Sequence, residues 1–517
     1  MKKFNIITIV LLAAATIGAN AQGMEDALRY SQRFYVGSAR TMAMGNAFTA
    51  LGGDLGAMGI NPASTALYNC CEFSITGGFS WNNTVAGLPE GSLQDVTKTK
   101  FNIPSVAAVF SLPTGRDFGL VSYSFGFGMN KVNSFNSRVA FRGQDTGNSL
   151  LGNIAAGLEG LDNSYLDADD AFDARIATWQ EILAWDTYLI DPFEDYSDSY
   201  IGATENIFDD GGLGVDNLMT KNYNRTTGGG MYDIQFNFGL NFNDRLYLGA
   251  NANITTVNFE DSRYYSEAGP GPDYFQTAFD KMDYSFWQET SGVGANLQLG
   301  AIWVPADFLR LGATYTTPTV YELTDTWQET MNATFDANYV EHNAEVYSES
   351  PIGSYSYRVK APSRFTLGAA LVFGRGGLIS ADIERVNYSK MVMTDSNHYA
   401  DAFEDVNKEI KEYCPSSTIF RLGAEMNIVN DYCLRAGYNC YYYNAPQYHF
   451  VSFGIGKRIS ENSSIDLAFR TSLKDNYTLK PYGDYAFDED GVPAIVATTA
   501  NVTSAFRDLM LTYRVKF

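Results

Sequence analysis

Residues 232–242 read YDIQFNFGLNF, and this stretch decides the fold class. The even-numbered positions from Tyr232 to Phe242 carry Tyr, Ile, Phe, Phe, Leu and Phe, and polar residues or glycine stand between them. The alternation continues from Leu246 to Thr255, after the short polar turn 243–245. Because successive side chains of a β-strand point to opposite faces, the pattern predicts a hairpin with one apolar and one polar face.

The same alternation recurs along most of the chain. It predicts about fourteen strands, an even number as in bacterial membrane barrels. Short turns alternate with long polar connections, as expected for periplasmic turns and extracellular loops. A soluble β-sandwich is the alternative fold for alternating strands. The predicted strands are 72–81, 103–112, 118–128, 232–242, 246–255, 293–303, 309–315, 365–373, 378–386, 420–428, 434–442, 451–459, 465–469 and 509–517.

The last strand supports the barrel over the sandwich. From Leu509 to Phe517, apolar or aromatic residues occupy every odd-numbered position, including Tyr513, and the chain ends on phenylalanine. Such an end is similar to the assembly signal of outer-membrane barrels. We therefore expect Tyr513 and Phe517 to be recognised by the barrel-assembly machinery, and outer-membrane lipid to surround the protein.

Residues 1–21 have the features of a secretory signal peptide. Lys2 and Lys3 form a basic start, 6–15 is apolar, and 19–21 offers small residues for cleavage. The apolar stretch is shorter than the roughly 20 residues that span a bilayer as a helix. An exported chain with barrel strands is expected in the outer membrane of a Gram-negative bacterium, as a monomer.

Composition excludes several functions. The chain has 59 acidic and 36 basic residues, a net charge of -23, which argues against nucleic acid as a partner. Its 34 Tyr and 34 Phe suit the aromatic girdles of a membrane barrel. Three His and five Cys, without a C-x-x-C or nucleophile motif, predict no enzymatic activity, no metal and no cofactor.

Two segments lack strand alternation. Residues 22–71 are rich in Ala, Gly and Met, so they are interpreted as a compact N-terminal element that precedes a barrel over 72–517. Residues 130–230 form the longest insertion, and 168–189 has a partly amphipathic helical pattern. We expect this insertion on the extracellular side, partly helical.

The N-terminal element carries the marks of a known family. Residues 37–50 read GSARTMAMGNAFTA, Gly53-Asp54 follows, and 61–64 read NPAS. These motifs resemble the hatch of the FadL/TodX (OMPP1) family of outer-membrane hydrophobic-compound transport proteins. The segments 361–368, 381–383, 421–425 and 434–438 are also similar to strand segments of that family.

The resemblance implies both a fold and a function. The expected fold is a transmembrane barrel whose lumen is plugged by a hatch containing Gly45, Asp54, Asn61, Pro62 and Ala63. The expected function is passive uptake of hydrophobic small molecules, such as long-chain fatty acids or aromatic compounds, through a hatch-gated lumen. Alternatives are a non-transporting surface-exposed binding or structural barrel, and a receptor for haem or another ligand.

The family also implies a lateral exit at a kinked third strand. In this sequence that strand is 118–128, and Gly119, Gly126 and Gly128 would suit a bend. Glycine is common in barrel strands, so an ordinary strand is the simpler interpretation.

If apolar positions face lipid, the alternate positions of the last strands place several charges in the lumen. They could neutralise one another around the hatch, or receive the carboxylate head group of an amphiphile. These predicted lumen charges are Arg421, Glu425, Arg435, Arg458, Asp466 and Arg470.

Overall fold

The computed structural model describes residues 23–89, 91–168, 171–172, 176–193, 196–209, 211–338, 343–396, 402–428, 431–442, 448–487 and 493–517. Within them, fourteen antiparallel strands close into a barrel, which confirms the predicted fold class and strand number. The predicted signal peptide lies outside the described residues. The strands are β1 (Glu72–Gly87), β2 (Gln94–Pro113), β3 (Leu120–Ser134), β4 (Met219–Phe242), β5 (Leu246–Ala268), β6 (Phe279–Ala306), β7 (Leu309–Thr316), β8 (Arg364–Val372), β9 (Gly377–Asn387), β10 (Ser416–Asn427), β11 (Tyr432–Tyr442), β12 (Tyr448–Arg458), β13 (Ser463–Ser472) and β14 (Ala500–Lys516).

Each strand pairs with its neighbours in sequence order, and β14 returns to β1 in a register from Glu72 opposite Lys516 to Gly87 opposite Asn501. Closure removes the unpaired edges that an open sheet would expose to lipid. The short turns all lie at one end, which we call the periplasmic end, and the long loops lie at the other.

The two faces of the wall follow the alternation of the sequence. In β4, Phe236 and Phe238 are exposed on the outer face, whereas Gln235 and Asn237 are buried inside. Exposed aromatic rings collect near the periplasmic end, as in the girdle of a membrane barrel. These rings are Phe118, Trp303, Phe308, Phe373 and Phe517.

Beyond the membrane, several strands extend the wall on the long-loop side. The helices are α1 (Met24–Ser31), α2 (Ala39–Ala43), α3 (Leu150–Leu158), α4 (Trp179–Asp186) and α5 (Glu404–Tyr413). None of the helices in the described part of the chain is long and apolar enough to cross a membrane. The remaining strands are Ser137–Asp145, Ile190–Pro192, Tyr200–Gly202, Asn206–Ile207, Leu213–Gly214, Val320–Phe335, Glu345–Glu349, Gly353–Lys360, Val392–Asp395, Asp475–Leu479, Tyr485–Phe487 and Pro493–Ile495. The 3-10 turns are Leu55–Ala57 and Pro62–Leu67, which precede β1, and Asn163–Tyr165, Pro272–Tyr274 and Tyr388–Lys390.

The large insertion has narrower bounds than predicted, and it contains the helices α3 and α4. β3 runs to Ser134 and β4 begins at Met219, so the connection is 135–218 rather than 130–230. The alternation of residues 219–231 is hidden in the sequence by the glycines at 228–230. Within the predicted helical stretch 168–189, the described helix is α4, which Thr178 caps by accepting a hydrogen bond from the Glu181 amide.

Candidate functional site: the plugged lumen

Residues 23–71, which we call the plug segment, contact the inner face of the barrel on opposite sides. The Thr49 hydroxyl donates to Asp382 of β9 over 2.7 Å, and the Ala39 amide donates to Thr512 of β14 over 2.7 Å. Across the lumen, the Asn237 amide of β4 donates to the Pro62 carbonyl over 3.0 Å. The plug segment therefore lies inside the barrel.

Asn61, Pro62 and Ala63 anchor the plug segment to itself and to the wall. Asn61 is extended (φ -141°, ψ 115°), as the following proline requires, and its side chain accepts from the Ala63 amide to cap the turn Pro62–Leu67. The same side chain donates to the Thr49 carbonyl over 2.6 Å and to the Ala301 carbonyl of β6 over 3.2 Å. One buried amide thus joins two parts of the plug segment to β6.

The two other predicted hatch residues are also buried. Gly45 has a positive φ of 61°, and a Cβ there would lie 2.8 Å from the backbone of β10 and β11. Asp54 accepts from the Ser38 hydroxyl over 2.5 Å and from the Gly56 amide over 2.9 Å. Gly45 thus supplies a left-handed conformation and a close backbone approach that a side chain would hinder, and Asp54 caps the turn Leu55–Ala57.

A ring of inward-facing glycines makes room for the plug segment. At Gly437 of β11, a Cβ would lie 2.1 Å from the Gly45 nitrogen, and at Gly312 of β7, 2.0 Å from the Thr49 oxygen. Since these neighbours are backbone atoms, a larger residue would displace the plug segment. Sequence reasoning missed this ring, although glycine at the polar position of strand after strand is a visible signal. Its members are Gly239, Gly249, Gly300, Gly312, Gly368, Gly423, Gly437 and Gly454.

Below the glycine ring, charges join the plug segment to the wall in what we call the lower charge network. Glu425 accepts from Arg40 of the plug segment over 2.7 Å and from Arg435 over 2.6 Å. Arg435 also donates to Asp466 over 2.6 Å. The network ends with Arg514, which lies 2.7 Å from Asp466 and 3.5 Å from Asp54 of the plug segment. Three arginines meet three carboxylates, so the network neutralises itself and locks the plug segment.

Above the glycine ring lies a second set, the upper charge ring. Arg33 of the plug segment donates to Asp233 over 2.5 Å, and Arg470 donates to Asp508 over 2.7 Å. Glu384 accepts from both Arg364 and Arg421. Arg421 is 1% exposed, and its Nε and Nη1 have no hydrogen-bond partner among the described residues.

Five of the six predicted lumen charges therefore lie in these two sets, and Arg458 does not. Arg458 stands at the periplasmic end of β12, is 67% exposed, and lies 4.0 Å from Asp431. It occupies an inward position of the strand, but the wall ends there. Arg458 instead lines a polar cavity of about 840 Å³ that extends from Arg40 and the lower charge network to the periplasmic turns.

Above the upper charge ring, the inward face becomes apolar. We call this region the upper apolar layer. Helix α1 packs in it through Ala27 and Tyr30, and helix α5 through Val406 and Ile410. Inward-facing side chains of the wall complete it, among them Val132, Met231, Val257, Phe259, Tyr321, Leu323, Tyr357, Val359, Val386, Ile419, Tyr441 and Phe450.

The third strand does not open at the predicted glycines. Gly119 lies in the turn before β3, with a φ of 82°. Gly126 and Gly128 lie in an unbroken ladder with β2, and a Cβ at either would meet the Met58 side chain of the plug segment. These glycines admit a neighbour instead of bending the strand.

The irregularity of the third strand lies higher. The described ladder between β2 and β3 stops at Ser105 opposite Asn130, next to Pro104, which has no amide hydrogen. The register of β3 against β4 then shifts between Lys131 and Asn133. There the plug segment pairs with β3, because the Phe34 amide donates to the Val132 carbonyl over 2.7 Å.

The remaining predicted sites are at the periphery. Tyr513 and Phe517 are exposed on the outer face, and the Phe517 amide donates to the Cys71 carbonyl over 3.1 Å. Their role in assembly stays a prediction. Among the described residues, no group of three or more His, Cys, Asp or Glu could hold a metal ion, and all five cysteines are free.

Sequence reasoning overlooked the charges that face the predicted ones. Asp382 and Glu384 of β9, and Asp508 and Arg514 of β14, follow the same inward parity as Arg421 and could have been found by it. Arg33 and Arg40 had no such signal, because the plug segment has no simple periodicity.

The fold is similar to that of the Pseudomonas putida toluene transporter TodX, with a TM-score of 0.50 and 15% identity over 93% of this chain and 98% of that chain. It is also similar to a deltaS2 mutant of the TodX monoaromatic hydrocarbon channel, with a TM-score of 0.54 and 14% identity over 93% and 98%. The sequence matches no protein-family model and no curated protein. The chain has the FadL/TodX fold, which confirms the fold that its motifs implied.

Proposed function

We propose that this chain is an outer-membrane channel for passive uptake of hydrophobic small molecules, with the plug segment as its hatch. The observation that carries the proposal is the upper apolar layer. In this layer the side chains on the inner face of the barrel are apolar. A diffusion porin keeps a polar, water-filled lumen, whereas apolar walls favour an apolar guest. TodX, which has a similar fold, is a toluene transporter and a monoaromatic hydrocarbon channel, and this supports the proposal.

The packing suggests an order of events. A guest entering from the long-loop end would replace contacts of helix α1 in the upper apolar layer. Because Phe34 joins the plug segment to β3, movement of α1 would pull on the irregular part of that strand. The guest would then leave sideways between β2 and β3, at Pro104 and residues 131–133, rather than at Gly126 or Gly128.

The substrate class is proposed from the upper charge ring. Arg421 lies directly beneath the upper apolar layer, and while its Nη2 is bound to Glu384, its unpaired Nε and Nη1 could donate to a carboxylate. An apolar layer above an arginine with unpaired nitrogens fits a long-chain fatty acid better than a neutral aromatic compound.

The test is uptake of labelled oleate and labelled toluene by cells with and without the gene. We expect the gene to raise oleate uptake, the substitution Arg421→Gln to reduce it, and the control Arg458→Gln to leave it unchanged. A variant lacking residues 22–64 should take up oleate and toluene without discriminating between them.

The same assay separates the alternatives. A surface-exposed binding or structural barrel, favoured by the close packing of the upper apolar layer, would leave uptake of both compounds unchanged in the null strain. If the gene raises toluene uptake and Arg421→Gln does not change that uptake, the protein is a channel for hydrophobic molecules but its substrate is not a fatty acid.

A further inference from the structure

Four basic side chains follow one another along the outer face of the same part of the wall, and we call them the basic patch. Arg358 and Lys360 lie on the strand Gly353–Lys360, Arg385 lies on β9, and Lys390 lies in the 3-10 turn that follows β9. Lys360, Arg385 and Lys390 are exposed, the sequence neighbours of Lys360 and Arg385 are buried, and Lys390 lies between the half-buried Ser389 and the buried Met391. The four side chains therefore point away from the lumen.

The register places the basic patch at the upper edge of the apolar belt. Lys360 stands between Val320 on one neighbouring strand and Val392 on the other, and both valines are exposed on the outer face. A lysine flanked in this way buries its stem against apolar surface and extends its ammonium toward the head groups.

Arg385 lies lower on the same part of the wall. It is paired with Phe365 of β8, which is exposed, and it donates to the Thr418 hydroxyl of β10 over 2.5 Å. Below it on the same face of β9, Ile383 continues the apolar belt. The guanidinium thus stands where the belt ends and the polar wall begins.

The charge of the basic patch is largely uncompensated. Arg358 lies 3.2 Å from Glu322, and no other ion pair of these four side chains is found among the described residues. Elsewhere on the outer face the charge is reversed, since Glu260 of β5 stands directly opposite Glu289 of β6. The patch is therefore a local feature of a chain whose net charge is -23.

We propose that the basic patch binds the phosphorylated head group of a lipid in the outer leaflet. Cations at a membrane surface attract anionic lipids, and arginine pairs with phosphate through two parallel hydrogen bonds. Because the patch faces the membrane at the edge of the belt, the occupant that reaches it is a lipid. The inference uses the transmembrane barrel and does not depend on the proposed transport function.

The test uses the full chain in nanodiscs that contain either a diphosphorylated glycolipid of the lipid A type or the same glycolipid without phosphates. Native mass spectrometry counts the bound glycolipids. The variant Lys360→Gln/Arg385→Gln/Lys390→Gln is compared with the control Lys408→Gln/Arg458→Gln/Lys474→Gln, which removes three cations away from the patch. Heat-modifiable mobility of each variant checks that the barrel is folded.

We expect the wild type and the control variant to bind the phosphorylated glycolipid and not the phosphate-free one. Each cation near a membrane surface raises affinity about fivefold, so the patch variant should lose roughly a hundredfold. Equal binding of the phosphate-free glycolipid, or unchanged binding by the patch variant, would overturn the proposal. Displacement of the lipid by inorganic phosphate would also overturn it, because the site would then recognise a free anion.

Discussion

The lower and upper halves of the lumen are filled by different kinds of interaction. Around the plug segment, buried arginines and carboxylates meet in fixed pairs, and glycines bring backbone against backbone. In the upper apolar layer, large apolar side chains pack against helices α1 and α5. Ion pairs are directional and cost much to break, whereas apolar contacts are not directional and can be exchanged for a guest. Under the proposed function, the upper half receives the ligand and the lower half holds the seal.

The largest expected effect comes from breaking the lower charge network. Arg435→Met leaves the buried Glu425 and Asp466 each short of a partner. Removing one member of a buried ion pair costs about 3–5 kcal/mol. The heat-modifiability midpoint of the purified barrel should fall sharply, while Arg458→Met, at an exposed position, should leave it within error. An unchanged midpoint for Arg435→Met would show that the network does not hold the plug segment.

The glycine ring offers a test of the seal with a matched control. Gly437→Ala places a methyl group 2.1 Å from the Gly45 nitrogen, whereas Gly77→Ala on the outer face meets its nearest atom at 3.6 Å. Overpacking of this kind costs about 2–3 kcal/mol. We expect Gly437→Ala to raise single-channel conductance by displacing the plug segment and Gly77→Ala to resemble the wild type. Equal conductance in the two variants would contradict a tight seal.

The sequence predicted the wall much better than its contents. The alternation in β4 and β5 gives strand, face and inward parity together, because the period of a strand is fixed by backbone geometry. It fails for Arg458, since parity does not reveal where the wall ends. Alternation also fails to locate the irregular part of the third strand, which lies beside Pro104 of the neighbouring strand and Phe34 of the plug segment, far away in sequence.

A carboxylate above the upper apolar layer is bound by a tyrosine, whereas the carboxylates of the lower charge network are bound by arginines. Glu329 accepts a hydrogen bond from the Tyr284 hydroxyl over 2.7 Å, and burial raises the pKa of Glu329 to about 6. A raised carboxyl pKa means that the folded state prefers the protonated form. The contribution of Glu329 to stability is therefore fully present below about pH 4.5 and is lost as pH rises through about 6, by about 2 kcal/mol.

The substitution Glu329→Gln should abolish this dependence. Proteolysis of the extracellular loops, measured from pH 4 to 8, should become faster with rising pH in the wild type and stay level in the variant. A wild-type profile that is level across the same range would show that Glu329 titrates normally.

The smallest expected effect distinguishes the two halves by their response to a ligand. Ile419→Val removes one methylene from the upper apolar layer, where Ile419 is fully buried, and should cost about 1 kcal/mol. Ile383→Val makes the same change on the lipid-facing side and should cost little.

Because an apolar guest can fill the space, added oleate should restore the heat-modifiability midpoint of Ile419→Val. It should not restore Gly437→Ala, whose defect is a displaced backbone. Equal rescue of the two variants would mean that ligand binds the plug segment as readily as the upper apolar layer, and the division of the lumen into seal and chamber would be wrong.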